Sequence, residues 1–81
     1  MASKEDLADW LVEALRDLGG SAKIVPICEY VWKHHEYDLK ESPKGLFFTW
    51  QYDIRWAAKN LRDRGVMKPA HISPNGVWEL T

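Results

Sequence analysis

The stretch that most constrains the fold is residues 54–81, IRWAAKNLRDRGVMKPAHISPNGVWELT. It reads as the end of a basic helix, a glycine stop at Gly65, a short strand, an Asn75-Gly76 turn and a second strand. Asn-Gly between apolar runs is a strong short-range turn signal, and Pro69 marks the first strand as interrupted or at an edge. Helix followed by β-hairpin is the order of a recognition helix and wing. The expected fold is therefore mostly α with a small antiparallel β-hairpin, a winged helix-turn-helix of three helices plus wing. That architecture offers DNA a helix for the major groove and a hairpin for the neighbouring backbone.

The upstream sequence fits this plan. Ser3 and Asp6 have the spacing of a helix N-terminus, and Glu5 and Asp6 favour the first turn. Leu7, Trp10, Leu11, Ala14, Leu15 and Leu18 recur at helical spacing, and Gly19-Gly20 ends the helix. Ser21, Ala22 and Lys23 form the small strand that joins the wing sheet. Pro26 suits the first turn of a second helix with Ile27, Tyr30, Val31 and His34 on its buried side. Residues 37–45 have mixed charge with Ser42, Pro43 and Gly45 and read as a loop. Leu46, Phe47 and Phe48 read as a helical turn or a plug at the core edge. Thr49 is the expected N-cap of a third helix over residues 49–64, with Trp50, Ile54, Ala57, Ala58 and Leu61 on its inner face.

A chain of 81 residues makes one domain, so residues 1–81 are read as a single winged-helix domain, of the kind excised from a longer protein. Cys28 is the lone cysteine, which excludes a disulfide framework and fits a reducing, cytoplasmic setting. No signal peptide or membrane span is expected. The net charge of −1 conceals an asymmetry. Residues 1–41 carry five bases and nine acids, whereas residues 42–81 carry six bases and three acids. The positive half holds the expected recognition helix and wing. A small, salt-sensitive footprint on double-stranded DNA follows.

Arg55, Lys59 and Arg62 share a strip at helical spacing, where they can bind phosphate or the major-groove edge of guanine. Trp56 lies off the inner face, beside Tyr52. It either packs under the wing, against Trp78, or meets a ligand. Trp50, Tyr52, Trp56 and Trp78 supply enough aromatic surface for a pocket that senses a base methyl group. The competing reading of each is core packing. His71, Ser73 and Asn75 occupy the wing tip, where they contact phosphate or form an ordinary polar loop. Cys28 with His34 and His35 lacks the second cysteine of a structural zinc site. No motif supports catalysis, and neither a metal nor a cofactor is expected. A different class of function, a protein-protein interaction module, is kept open by the acidic first helix.

The residues Leu15, Leu18, Gly19, Gly20, Ser21 and Ala22, then Arg55, Trp56, Ala57, Leu61 and Gly65, then Gly76, Val77, Trp78, Glu79, Leu80 and Thr81 form a pattern. It resembles the N-terminal winged-helix domain of the Mrr family of restriction proteins. The likeness spans nearly the whole chain, and GVWELT with the RWA…L…G register is its specific part. Residues 54–67 also resemble, over a shorter span, the winged helix of DpnI-type endonucleases, which recognise methylated adenine. These resemblances imply DNA binding as a targeting domain of a restriction system. They imply a reader of N6-methyladenine-containing DNA, with a nuclease domain elsewhere in the parent protein. From spacing and architecture, the expected DNA-binding set is Tyr52, Arg55, Trp56, Lys59 and Arg62 first, His71, Ser73 and Asn75 second, with Trp50 as part of the aromatic surface.

Overall fold

The computed structural model describes residues 3–42 and 45–81. The element order is α1 (Lys4–Asp17), β1 (Ser21–Lys23), α2 (Ile24–Lys40), α3 (Leu46–Asp63) and β2 (Val77–Glu79). The chain is thus mostly helical, with three helices and a two-stranded antiparallel sheet among the described residues. Pro43, within the expected loop, lies outside them.

Helix α1 begins where Ser3 donates its backbone N–H to the Asp6 carboxylate at 2.9 Å, satisfying a donor at the helix start. Its apolar stripe buries Leu7, Leu11, Ala14 and Leu15. Leu18, expected on that stripe, is 38% exposed because it is already the C-cap. Two bonds close this end, from Gly20 N–H to the Leu15 carbonyl and from Gly19 N–H to that of Arg16. The same pair recurs after α3, where Val66 N–H donates to the Leu61 carbonyl and Gly65 N–H to that of Arg62. Gly65 holds φ +76, a left-handed value that favours glycine at a helix end.

Helix α2 runs further than expected. The charged stretch after Tyr37 stays helical to Lys40 because Leu39 is buried in the core and Lys40 pairs with Glu36 one turn back at 2.6 Å. The backbone is irregular at His35 (φ −130, ψ 19). His35, not His34, turns inward. It stacks on Trp10 of α1, with ring centres 4.1 Å apart, and bonds to Glu13 at 3.0 Å. His34 is exposed and stacks on Tyr30 of its own helix.

Helix α3 starts four residues earlier than expected, with its N-cap at Gly45 rather than Thr49. Leu46 is buried and opens the helix, and Gly45 (φ +80) stands at its N-cap position. Thr49 therefore lies inside the helix, and its hydroxyl donates to Asp53 at 2.7 Å. The inner face is as expected: Trp50, Ile54, Ala57, Ala58 and Leu61 are buried, mainly against α1.

Strand β1 pairs with β2 in the register Ser21↔Glu79, Ala22↔Trp78 and Lys23↔Val77. The expected strand at Val66, Met67 and Lys68 is reduced to a single bridge, Met67↔Leu80, flanked by bonds from Lys68 N–H to the Glu79 carbonyl and from Thr81 N–H to the Val66 carbonyl. Pro69 has no N–H with which to extend the ladder. The loop over residues 69–76 is folded by turns. Ile72 N–H donates to the Pro69 carbonyl, and Val77 N–H closes over Asn75 and Gly76 onto the Pro74 carbonyl at 3.0 Å.

Candidate nucleic-acid interface

With its inner face buried, α3 turns Tyr52, Arg55, Trp56, Lys59 and Asp63 outward. Tyr52 and Trp56 are 67% and 59% exposed, well outside the core. The expectation that Trp56 packs under the wing fails. Its ring instead neighbours the start of α1, with Lys4 Nζ 5.8 Å from the ring centre. Trp78 is buried in the core through its place on β2, whose neighbours cover it. Tyr52, Arg55, Trp56 and Lys59 line one shallow depression of about 280 Å³. Two aromatic rings and two cations therefore share a surface patch.

The cations in this patch are differently committed. Arg55 makes no ion pair or side-chain hydrogen bond among the described residues. Lys59 pairs with Asp63 at 3.2 Å, with both side chains about two-thirds exposed. Such a pair contributes little and is readily exchanged for another anion. Arg62 is half-buried, and its Nε donates to the Lys68 carbonyl at 3.3 Å, tying α3 to the start of the loop over residues 69–76. It serves the fold first, which periodicity alone did not reveal.

The remaining expected contacts divide by burial. Trp50 is 4% exposed, its ring plane 9° from that of Trp32 and the centres 6.2 Å apart. It is a core residue whose edge reaches a cleft. Ser73 is buried, and its hydroxyl has no hydrogen-bond partner among the described residues. It is folded into the loop rather than presented at its tip. His71 and Asn75 are exposed on that loop.

The sequence reading missed a cleft of about 740 Å³ between the first turns of α2 and of α3. Phe48, 85% exposed, forms its lip, and Trp32, Gln51 and Arg55 are among its walls. Phe48, Tyr52, Arg55 and Lys59 continue one helical row, but that row is visible only once α3 is extended back beyond Thr49. Cys28 also lines the cleft. Burial pushes its thiol above the usual range, against a smaller downward pull from the Arg55 guanidinium, which keeps the sulfur protonated and uncharged at neutral pH.

Among the described residues, no three His, Cys, Asp or Glu side chains come together as metal ligands. No helix there is long and apolar enough to cross a membrane. Compared with protein-family models, with curated proteins and with solved structures, the chain matches none. None of these comparisons identifies an Mrr-family or DpnI-like domain.

Proposed function

We propose that this chain is a winged helix-turn-helix that binds double-stranded DNA through the outer face of α3, as a targeting domain of a restriction system. One observation carries the reading: a buried-backed helix presents exposed aromatics on one patch, with an arginine that is unpaired among the described residues. Helix α3 then enters the major groove, and residues 69–76 act as the wing over the adjacent backbone. Support for this assignment comes from the element order and from a sheet in which β2 has β1 on one side and the bridge at Met67 on the other. Arg55 and Lys59 supply phosphate or guanine contacts, Arg62 braces the wing, and His71 and Asn75 lie at its tip.

On this reading, Tyr52 and Trp56 provide apolar surface for the N6 methyl of a modified adenine, which projects into the major groove. Contact with it is the same physics that reads the thymine methyl. The chemistry of cleavage belongs to a separate nuclease domain of the parent protein. The experiment is fluorescence anisotropy on one labelled duplex, unmodified or adenine-methylated, across a salt series. Absence of binding in low salt, or binding independent of salt, removes the DNA reading. That result would favour a protein-protein interaction module, for which the exposed Tyr37 and Ile72 are the pertinent surface.

A further inference from the structure

The cleft between α2 and α3 combines two chemistries that the DNA reading does not use. Its walls hold a connected group of aromatic rings. Trp32 lies 6.2 Å from Trp50 and 6.0 Å from Phe47, and Phe47 meets Phe48 edge-on at 5.0 Å. The outermost ring, Phe48, is left 85% exposed. Around these rings stand Glu29, Gln51 and Arg55, and none of the three side chains has a hydrogen-bond or ion-pair partner among the described residues. The volume of about 740 Å³ falls within the ~300–1,000 Å³ typical of small-ligand sites.

An apolar wall with unpaired polar groups at its edge suits a planar heterocycle. A base stacks on the rings, Glu29 accepts from an exocyclic amine, and Gln51 can both donate and accept along the base edge. Arg55 fixes which molecule brings that heterocycle. It lines both this cleft and the depression shared with Tyr52, Trp56 and Lys59, so the cleft adjoins the proposed DNA face and carries a free cation where the two meet. A nucleobase swung out of the duplex arrives with a phosphate attached, which the guanidinium complements.

We infer that the cleft between α2 and α3 receives a single nucleobase extruded from the bound duplex, stacked on Phe48 and Trp32 and held at its edge by Glu29 and Gln51. The inference rests on the DNA reading. Extrusion breaks stacking and pairing in the duplex, at a cost that is smallest when the base is already unpaired.

The test compares three labelled duplexes of one sequence by anisotropy: fully paired, carrying one unpaired adenine, and carrying an abasic residue at the same place. The unpaired adenine is expected to bind about tenfold tighter than the paired duplex or better, with the abasic duplex losing that gain. In Phe48→Ala, and separately in Glu29→Ala, the ratio between unpaired and paired duplexes should fall toward one. Both positions are exposed, so folding is not at risk, and the ratio cancels general changes in affinity. Equal binding of paired and unpaired duplexes overturns the cleft assignment while leaving DNA reading intact. So does an abasic duplex that binds like the unpaired adenine, or a ratio that survives both substitutions. No binding to any of the three overturns the DNA reading as well.

Discussion

The ammonium of Lys4, in the first turn of α1, stands 5.8 Å from the centre of the Trp56 indole on α3. The same ammonium is 3.8 Å from the buried carboxylate of Asp53, one turn earlier on α3. Trp56 is therefore positioned from the side by the start of α1. A cation over an exposed ring contributes about 0.5–1 kcal/mol. Lys4→Ala should lower stability by no more than about 1 kcal/mol, and most of the loss should vanish in a Trp56→Ala background. A double-mutant cycle by urea unfolding measures it. A full loss in both backgrounds would assign the effect to Asp53.

The two α3 tryptophans that the sequence marked as DNA contacts should separate cleanly. Trp50→Ala removes a buried ring and should destabilise by about 3–5 kcal/mol, a large share of what a small domain has. Trp56→Ala should stay folded, since most of its ring already faces solvent. Thermal melting of both proteins checks the order. A Trp56→Ala protein that melts as early as Trp50→Ala would put Trp56 back in the core.

Gly65→Ala tests the end of α3. Beyond its chain neighbours, no atom of the described residues lies within 4 Å of where the new Cβ would stand, so the cost is conformational, from φ +76. A loss of about 1 kcal/mol or somewhat more is expected, with a smaller loss for Gly65→Asn. Equal melting of parent and alanine protein would contradict the left-handed stop.

The Tyr30 phenol donates a hydrogen bond to the Asp17 carboxylate, across the junction of α1 and α2. That bond and the nearby negative charge push its pKa up to about 12. The folded value exceeds the unfolded one, about 10, so the contribution is complete below pH 10 and is lost as pH rises toward 12. The stability gap between parent and Tyr30→Phe should hold steady from pH 7 to 9 and close above pH 10. A gap that stays constant beyond pH 11 would contradict the bond.

Much of this arrangement was legible in the sequence, for reasons that differ by element. The stripe from Leu7 to Leu15, the inner face of α3 and the glycine stops have local causes and fell where expected. The join of Ser21–Lys23 to the C-terminal strand also followed from element order. What escaped depends on tertiary contact. The charges around Leu39 suggested a loop, yet burial of that one side chain continues α2. Thr49 resembled a cap because its hydroxyl can accept from the backbone; in the fold it donates to Asp53. Glu13 and Asp17 contribute to the acidic first helix, but His35 and Tyr30 of α2 engage them. The cleft beside Phe48 joins two helices and has no signature along the chain.

This rearrangement of acids sharpens the control for DNA binding. Asp9 is exposed and, among the described residues, makes no side-chain hydrogen bond or ion pair to α2, so Asp9→Lys reverses charge on α1 without breaking such a contact. It should leave sequence and methyl preference unchanged. Arg55→Ala and Lys59→Ala should each weaken binding and flatten the salt slope by about one unit. Equal losses from α1 and α3 substitutions would point to diffuse charge attraction rather than a reading face.

The most direct measurement is the salt dependence of the unaltered protein on a duplex with and without N6-methyladenine. With two or three cations on the strip, log affinity should fall against log salt with a slope of about −2 to −3. A methyl group buried against Tyr52 and Trp56 should favour the modified duplex about fourfold, corresponding to ~0.8 kcal/mol. Binding that is absent at low salt, or that shows no slope, would contradict DNA recognition by α3.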